Sequence, residues 1–224
     1  MEYRPLGRTG MSVSHLTLGA MMFGAMGNPD REDCVRIVHR ALEAGVTSIN
    51  TADGYSGGQS EEILGEALTG GRRADVVLSV KTGRKIEGVP NSGGGSRLSF
   101  THAIEGSLHR LRTDYIDVYE LGVPDPDTDI DETLGALTDL VAAGKIRSFG
   151  TSKMPPSQLE QARAVSERRG TGSSAPRRRR TRSSTASWST TYSRRASASA
   201  SACSPSGRSP AVGFPVATAP ARRS

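Results

Sequence analysis

Short apolar runs rich in β-branched residues alternate along this chain with apolar stripes of helical period, and that alternation limits the fold more than any other feature. Residues 46–51, 76–81, 116–121 and 146–151 read as buried strands, with residues 16–20 as a first one. Between them, Val35, Val38 and Leu42 make one helical stripe, stopped by Gly45. Ile63, Leu64, Ala67 and Leu68 make a second, Ile104, Leu108 and Leu111 a third, and Leu134, Leu137 and Val141 a fourth. A fifth begins at Gln158, after Pro155-Pro156. Strand starts at 46, 76, 116 and 146 give a repeat of 30 to 40 residues, the length of a βα unit in a parallel sheet. The expected fold is therefore α/β, of the (β/α)8 barrel type. A doubly wound sheet is the rival, but its Gly-rich turn after the first strand is missing: the chain reads Gly19-Ala-Met-Met-Phe-Gly24 there. Residues 2–13, turning at Gly7-Arg-Thr-Gly10, suggest a hairpin ahead of the barrel.

The alternation stops near Glu167, and composition changes with it. Residues 1–167 hold all 23 acidic side chains against 17 basic ones, whereas residues 168–224 hold 12 Arg and no Lys, Asp or Glu. That second segment also lacks Leu, Ile, Met, Asn, Gln and His. It has too little apolar surface to offset a backbone ordering entropy of roughly 1–2 kcal/mol per residue, so disorder is expected. The chain thus divides into a partial barrel, residues 1–167, ending after about five βα units, and an Arg/Ser/Ala-rich tail, residues 168–224. A basic tail selected for binding would explain the segment. So would a GC-rich coding sequence read out of frame, which the abrupt change in mid-helix favours.

No run approaches 18 apolar residues, so no membrane helix is expected. The start, MEYRPLGRTG, lacks the apolar core of a signal peptide, and Cys34 and Cys203 are too few for a disulfide framework. A reducing, cytoplasmic setting fits these features.

Several short motifs fall in a specific order: Leu6-Gly-Arg-Thr-Gly10, Asn50-Thr-Ala-Asp-Gly-Tyr55, Ser60-Glu-Glu62, a strand ending at Lys81, Asp117-Val-Tyr-Glu-Leu121 and Gly150-Thr-Ser152. Together they resemble the aldo/keto reductase family over residues 1–167. The GGQSEE stretch is similar to the branch holding bacterial general reductases and potassium-channel β subunits. The resemblance implies hydride transfer from NADPH to an aldehyde or ketone, in which the oxygen that becomes an alkoxide needs a proton. It implies Tyr55 as the acid, with Lys81 beside it to lower the phenol pKa. Asn50 stands where the family has the Asp that pairs with this lysine, and Gly122 where it has a carbonyl-orienting His. None of His15, His39, His102 and His109 is placed to substitute. The implied cofactor contacts are Ala20, Met21, Asn50, Ser152 and Lys153, the last two replacing a Ser-Asn pair. No metal site is expected.

Asn50 can hydrogen-bond Lys81 but supplies no negative charge. With Gly122 it removes one charge and one hydrogen-bond donor, and the strands that would grip the cofactor phosphates are not expected in this copy. The expectation is thus an impaired or inactive copy, with no measurable NADPH binding and no carbonyl-dependent oxidation. The alternative is a non-catalytic binding or regulatory protein, either channel-β-like or a basic-tailed nucleic-acid binder; few stacking aromatics in the tail weaken the latter. Residues 92–96 (SGGGS) suggest a mobile loop after strand 76–81, and Gly57-Gly58 a turn into the second helix. An open barrel would expose two sheet edges and an apolar interior, which implies self-association.

Overall fold

A computed structural model describes residues 1–7 and 9–168. The expected disordered tail, with Arg177–Arg180 and Cys203, lies outside the described residues. The chain opens with an antiparallel hairpin, β1 (Tyr3–Pro5) and β2 (Ser12–Ser14), in which Tyr3 pairs with Ser14. Five parallel strands follow, β3 (Thr17–Gly19), β4 (Ser48–Ala52), β5 (Val77–Thr82), β6 (Ile116–Leu121) and β7 (Ile146–Thr151), hydrogen-bonded in sequence order. The helices are α1 (Arg31–Glu43), α2 (Gln59–Ala67), α3 (Arg97–Leu111), α4 (Ile130–Ala142) and α5 (Pro156–Arg168). Each strand is followed by a helix and pairs with the next strand, which is the connectivity of five successive units of a (β/α)8 barrel.

The helix ends follow from local chemistry. Asp30 caps α1 by accepting from the Asp33 N–H at 2.9 Å, and Ser96 caps α3 by accepting from the Ser99 N–H at 3.3 Å. Pro156 opens α5, where its missing N–H would have no partner anyway. Gly57 and Gly58, at φ 64° and 98°, make the left-handed turn into α2.

Strand alternation sorts the sheet into two faces. Ile49, Leu78, Val80, Tyr119, Leu121 and Phe149 face the helices and pack with Leu64, Ile104 and Leu137 in one core. Side chains on the other face are Ser48, Asn50, Ala52, Val77, Ser79, Lys81, Ile116, Val118, Glu120, Ile146 and Ser148. Polar and apolar residues are mixed on this face, and Lys81, Asn50, Ser79 and Glu120 hydrogen-bond one another across the strands.

At the N-terminal ends of the strands, buried Asp117 accepts from the Leu78 N–H and forms ion pairs of 2.8 Å with both Arg73 and Arg147. The two guanidinium groups lie 4.2 and 3.9 Å from the Tyr115 ring centroid, on which they stack. Arg73 is mostly buried with Asp117, so its loss would leave part of a buried charge unmet, whereas half-exposed Arg147 contributes less. This end of the sheet serves stability, and the opposite end is free for a site.

Candidate active site

Tyr55, Lys81 and Asn50 come together at the C-terminal ends of β4 and β5. Asn50 and Lys81 lie on the same sheet face, and the Lys81 ammonium donates to Asn50 Oδ1. Tyr55 opens a short 3-10 segment directly after β4, and Lys81 Nζ sits 5.4 Å from its ring centroid. Lys81 therefore turns into the mouth of the barrel, as its position at a strand end predicts. The 3-10 segment holds Ser56 at φ 50°, and the Ser56 hydroxyl donates to the Phe23 carbonyl at 2.8 Å. This anchors the tyrosine loop to the loop after β3.

A cavity of about 190 Å³ opens beside this pair, lined among others by Tyr55, Lys81, Arg84, Gly122, Ser152 and Lys153. Four of the expected site residues thus meet at one opening, and Asn50 is joined to it through Lys81. Ala20 and Met21 do not line it. Ala20 is fully buried, its carbonyl accepting from the Ser60 hydroxyl at 2.8 Å, and Met21 is exposed on the loop beyond. Gly122 N–H donates to the Thr82 carbonyl at 2.7 Å, and a Cβ at this glycine would stand 3.0 Å from that same oxygen.

The electrostatics differ from those the resemblance implies. Burial, and then the negative charge of Glu120, push the Tyr55 phenol above its ordinary range. Lys81 does not bring it down: burial lowers the lysine's own pKa, Glu120 opposes that shift and Lys153 adds to it. Tyr55 therefore holds its proton firmly at neutral pH, ready to be donated but weakly acidic. Asp53 lines the same cavity and accepts from the Thr82 hydroxyl at 2.6 Å.

Two members of the site were not singled out in the sequence. Ser79 donates to Glu120 Oε1 and accepts from Asn50 Nδ2 at 3.1 Å. Glu120 is only 7% exposed, which is unusual for a carboxylate and demands partners. A signal was present, since Asn50, Ser79, Lys81 and Glu120 interrupt otherwise apolar strands at inward-facing positions. The glycine loop 92–96 is hydrogen-bonded to the segments beside it. Gly94 N–H donates to the Gly83 carbonyl at 2.9 Å, and Gly95 N–H to Asp125 Oδ2 at 2.6 Å.

A model of the Aldo/keto reductase family matches residues 15–175. The chain belongs to the aldo/keto reductase family. The match runs past residue 167, where the composition turns basic. The chain is 38% identical over 168 residues to Aldo-keto reductase YhdN of Bacillus subtilis, covering 74% of this chain and 51% of that one. It is 36% identical over 171 residues to a probable voltage-gated potassium channel subunit beta of Oryza sativa, covering 75% and 51%. Among solved structures it is similar to aldo-keto reductase AKR11C1 from Bacillus halodurans in its holo form, with TM-score 0.66, 35% identity and coverage of 74% and 54%. It is also similar to the thermostable aldo-keto reductase Tm1743 in complex with epalrestat, with TM-score 0.65, 34% identity and coverage of 74% and 58%. The chain spans about half the length of the curated relatives it matches. These matches establish the (β/α)8 barrel type for the five described units. Among the described residues no helix is long and apolar enough to cross a membrane, and no His, Cys, Asp and Glu cluster could hold a metal ion.

Proposed function

We propose that the cavity beside Tyr55 and Lys81 is a carbonyl-reduction site of the aldo/keto reductase type, taking a small aldehyde or ketone, with its catalysis impaired by substitution. The observation that carries this reading is the pairing of Tyr55 with Lys81 at the C-terminal ends of adjacent parallel strands, where barrels of this type place their chemistry. NADPH is the cofactor the reading calls for, and it would supply the hydride. The donor set suits the nicotinamide end. Ser152 offers a hydroxyl, Tyr55 a ring face and a phenol, and Lys81 a cation, all lining one cavity. Tyr55 would hold a proton at the carbonyl oxygen, and Lys81, fixed by Asn50, would keep a positive charge close to it.

Impairment follows from three positions. Asn50 gives Lys81 a neutral acceptor. Gly122 supplies no donor to orient the carbonyl. Lys153 brings a second cation toward Lys81. Loss of one preorganised donor typically costs about 10²–10³ in turnover. The test is a fluorescence titration of the full chain with NADPH, followed by aldehyde-dependent NADPH oxidation. Binding weaker than the usual range of about 1 μM to 1 mM is expected. Any residual turnover should disappear in Tyr55→Phe. Tight binding with fast turnover would overturn the impairment, and residual turnover unchanged in Tyr55→Phe would overturn the role of Tyr55.

A further inference from the structure

The polar chain across the inner sheet face has a direction. Lys81 Nζ donates to Asn50 Oδ1, Asn50 Nδ2 donates to Ser79 Oγ, and Ser79 Oγ donates to Glu120 Oε1. Every hydrogen in it points from the ammonium toward the carboxylate. Lys81, a donor only, fixes the Asn50 amide orientation, because its partner atom must accept. Ser79 has one proton and spends it on Glu120, so whatever faces it from position 50 must donate. An amide meets both demands at once, accepting from Lys81 and donating to Ser79. An ionised Asp could accept from Lys81 but would offer Ser79 no donor, and would bring a second negative charge near Glu120.

We propose that Glu120 is a positioning residue for Lys81, its carboxylate serving as a remote counter-charge relayed through Ser79 and Asn50, and that Asn50 and Glu120 form a matched pair.

The pair makes sense of two oddities together: a neutral side chain contacting the lysine, and a carboxylate buried on the inner sheet face. Polarised hydrogen bonds strengthen one another in low-dielectric surroundings, which lets a charge act at two residues' remove. Burial raises the Glu120 pKa, while the Ser79 hydroxyl and Lys81 draw it back. The charged or titratable groups around Lys81 are Tyr55, Glu120, Lys153 and, lining the same cavity, Asp53 and Arg84; those facing Glu120 are Lys81 and Tyr55. The inference rests on the reading of Lys81 as the lysine of the reduction site, but its test needs no turnover.

The test measures the pH dependence of Lys81 acylation in the full chain by trace labelling and mass spectrometry, with exposed Lys85 as the internal reference. In Glu120→Gln the Lys81 midpoint should fall by about one pH unit, a tenfold change in proton affinity, while that of Lys85 stays put. Ser79→Ala cuts the relay without a change in core volume large enough to unfold the sheet. It should lower the midpoint in the same direction, and it decides the matter alone if Glu120→Gln does not fold. The double variant Asn50→Asp with Glu120→Gln should bring the Lys81 midpoint back to or above the wild-type value, because the charge is now direct and Ser79 is free to donate to it. A Lys81 midpoint that moves no further than that of Lys85 in the single variants would overturn the proposal. So would a double variant whose midpoint stays as low as that of Glu120→Gln. Failure of NADPH to bind would leave all these outcomes readable, so the two readings fail separately.

Discussion

Lys153 is under two strains at once. Its φ is 60°, a left-handed conformation that costs a side-chain-bearing residue roughly 1–2 kcal/mol and that Asn tolerates better. Its cation also lowers the pKa of Lys81. Lys153→Asn should therefore stabilise the chain by about 1 kcal/mol in denaturant melts. The sign of the pH effect follows from linkage. Folding depresses Lys81 below its ordinary value of 10.5, so the unfolded chain binds more protons in the window just below that value, and stability rises with pH there. Removing Lys153 narrows the window, so the rise should be smaller in the variant; an unchanged slope would show that the two ammonium groups do not interact. At this scale the sequence was legible where the family motif assigns both residues to the site, as with Lys81 and Asn50. It was silent where the motif assigns neither, as with Ser79 and Glu120, although these too lie on neighbouring strands. Nothing in Asp117-Val-Tyr-Glu-Leu121 says that Glu120 will meet Ser79, because that depends on the register between β5 and β6.

The elements were easier to read than their contacts. Apolar period placed all five strands and five helices, because each buries one face, and one face repeats along the chain. Ends moved by a residue or two: β4 starts at Ser48 and β5 at Val77, since the preceding residues Val46 and Val76 bury their side chains without joining the ladder. How closely helices approach was not legible. Gly65 lies inside α2, where glycine costs about 1 kcal/mol relative to alanine. A Cβ there would stand 2.4 Å from the Arg110 carbonyl oxygen and 2.9 Å from the Leu111 carbonyl carbon, at the end of α3. Backbone cannot yield that distance. Gly65→Ala should thus lose more to overpacking, about 1–3 kcal/mol, than it gains in propensity, for a lower midpoint in thermal unfolding. A higher midpoint would mean that the α2–α3 contact is looser than the structure shows. The same contact carries the 2.7 Å ion pair between buried Glu61 and Arg110, so separating the helices would also leave a buried carboxylate unpaired.

At the scale of the whole molecule, two features bear on association. Among the described residues, β3 bonds only β4 and β7 bonds only β6, so one edge of each carries backbone donors and acceptors without a sheet partner. The chain is also polarised in charge, with every acidic residue before position 168 and 12 of its 29 basic residues from there on. Either feature can bring two copies together, by strand pairing or by attraction between the basic segment of one chain and the acidic body of another. Salt separates them. Screening shortens to about 3 Å at 1 M, which removes contacts between exposed charges but leaves backbone pairing and its apolar flanks in place. Sheet edges pair through backbone groups whatever the charge of the flanking chain, so the edges are the stronger candidate. Light scattering after size exclusion should therefore find concentration-dependent oligomers that persist at about 1 M salt. A monomer at every concentration would remove the edges as interfaces, and oligomers that dissolve in salt would assign the association to charge instead.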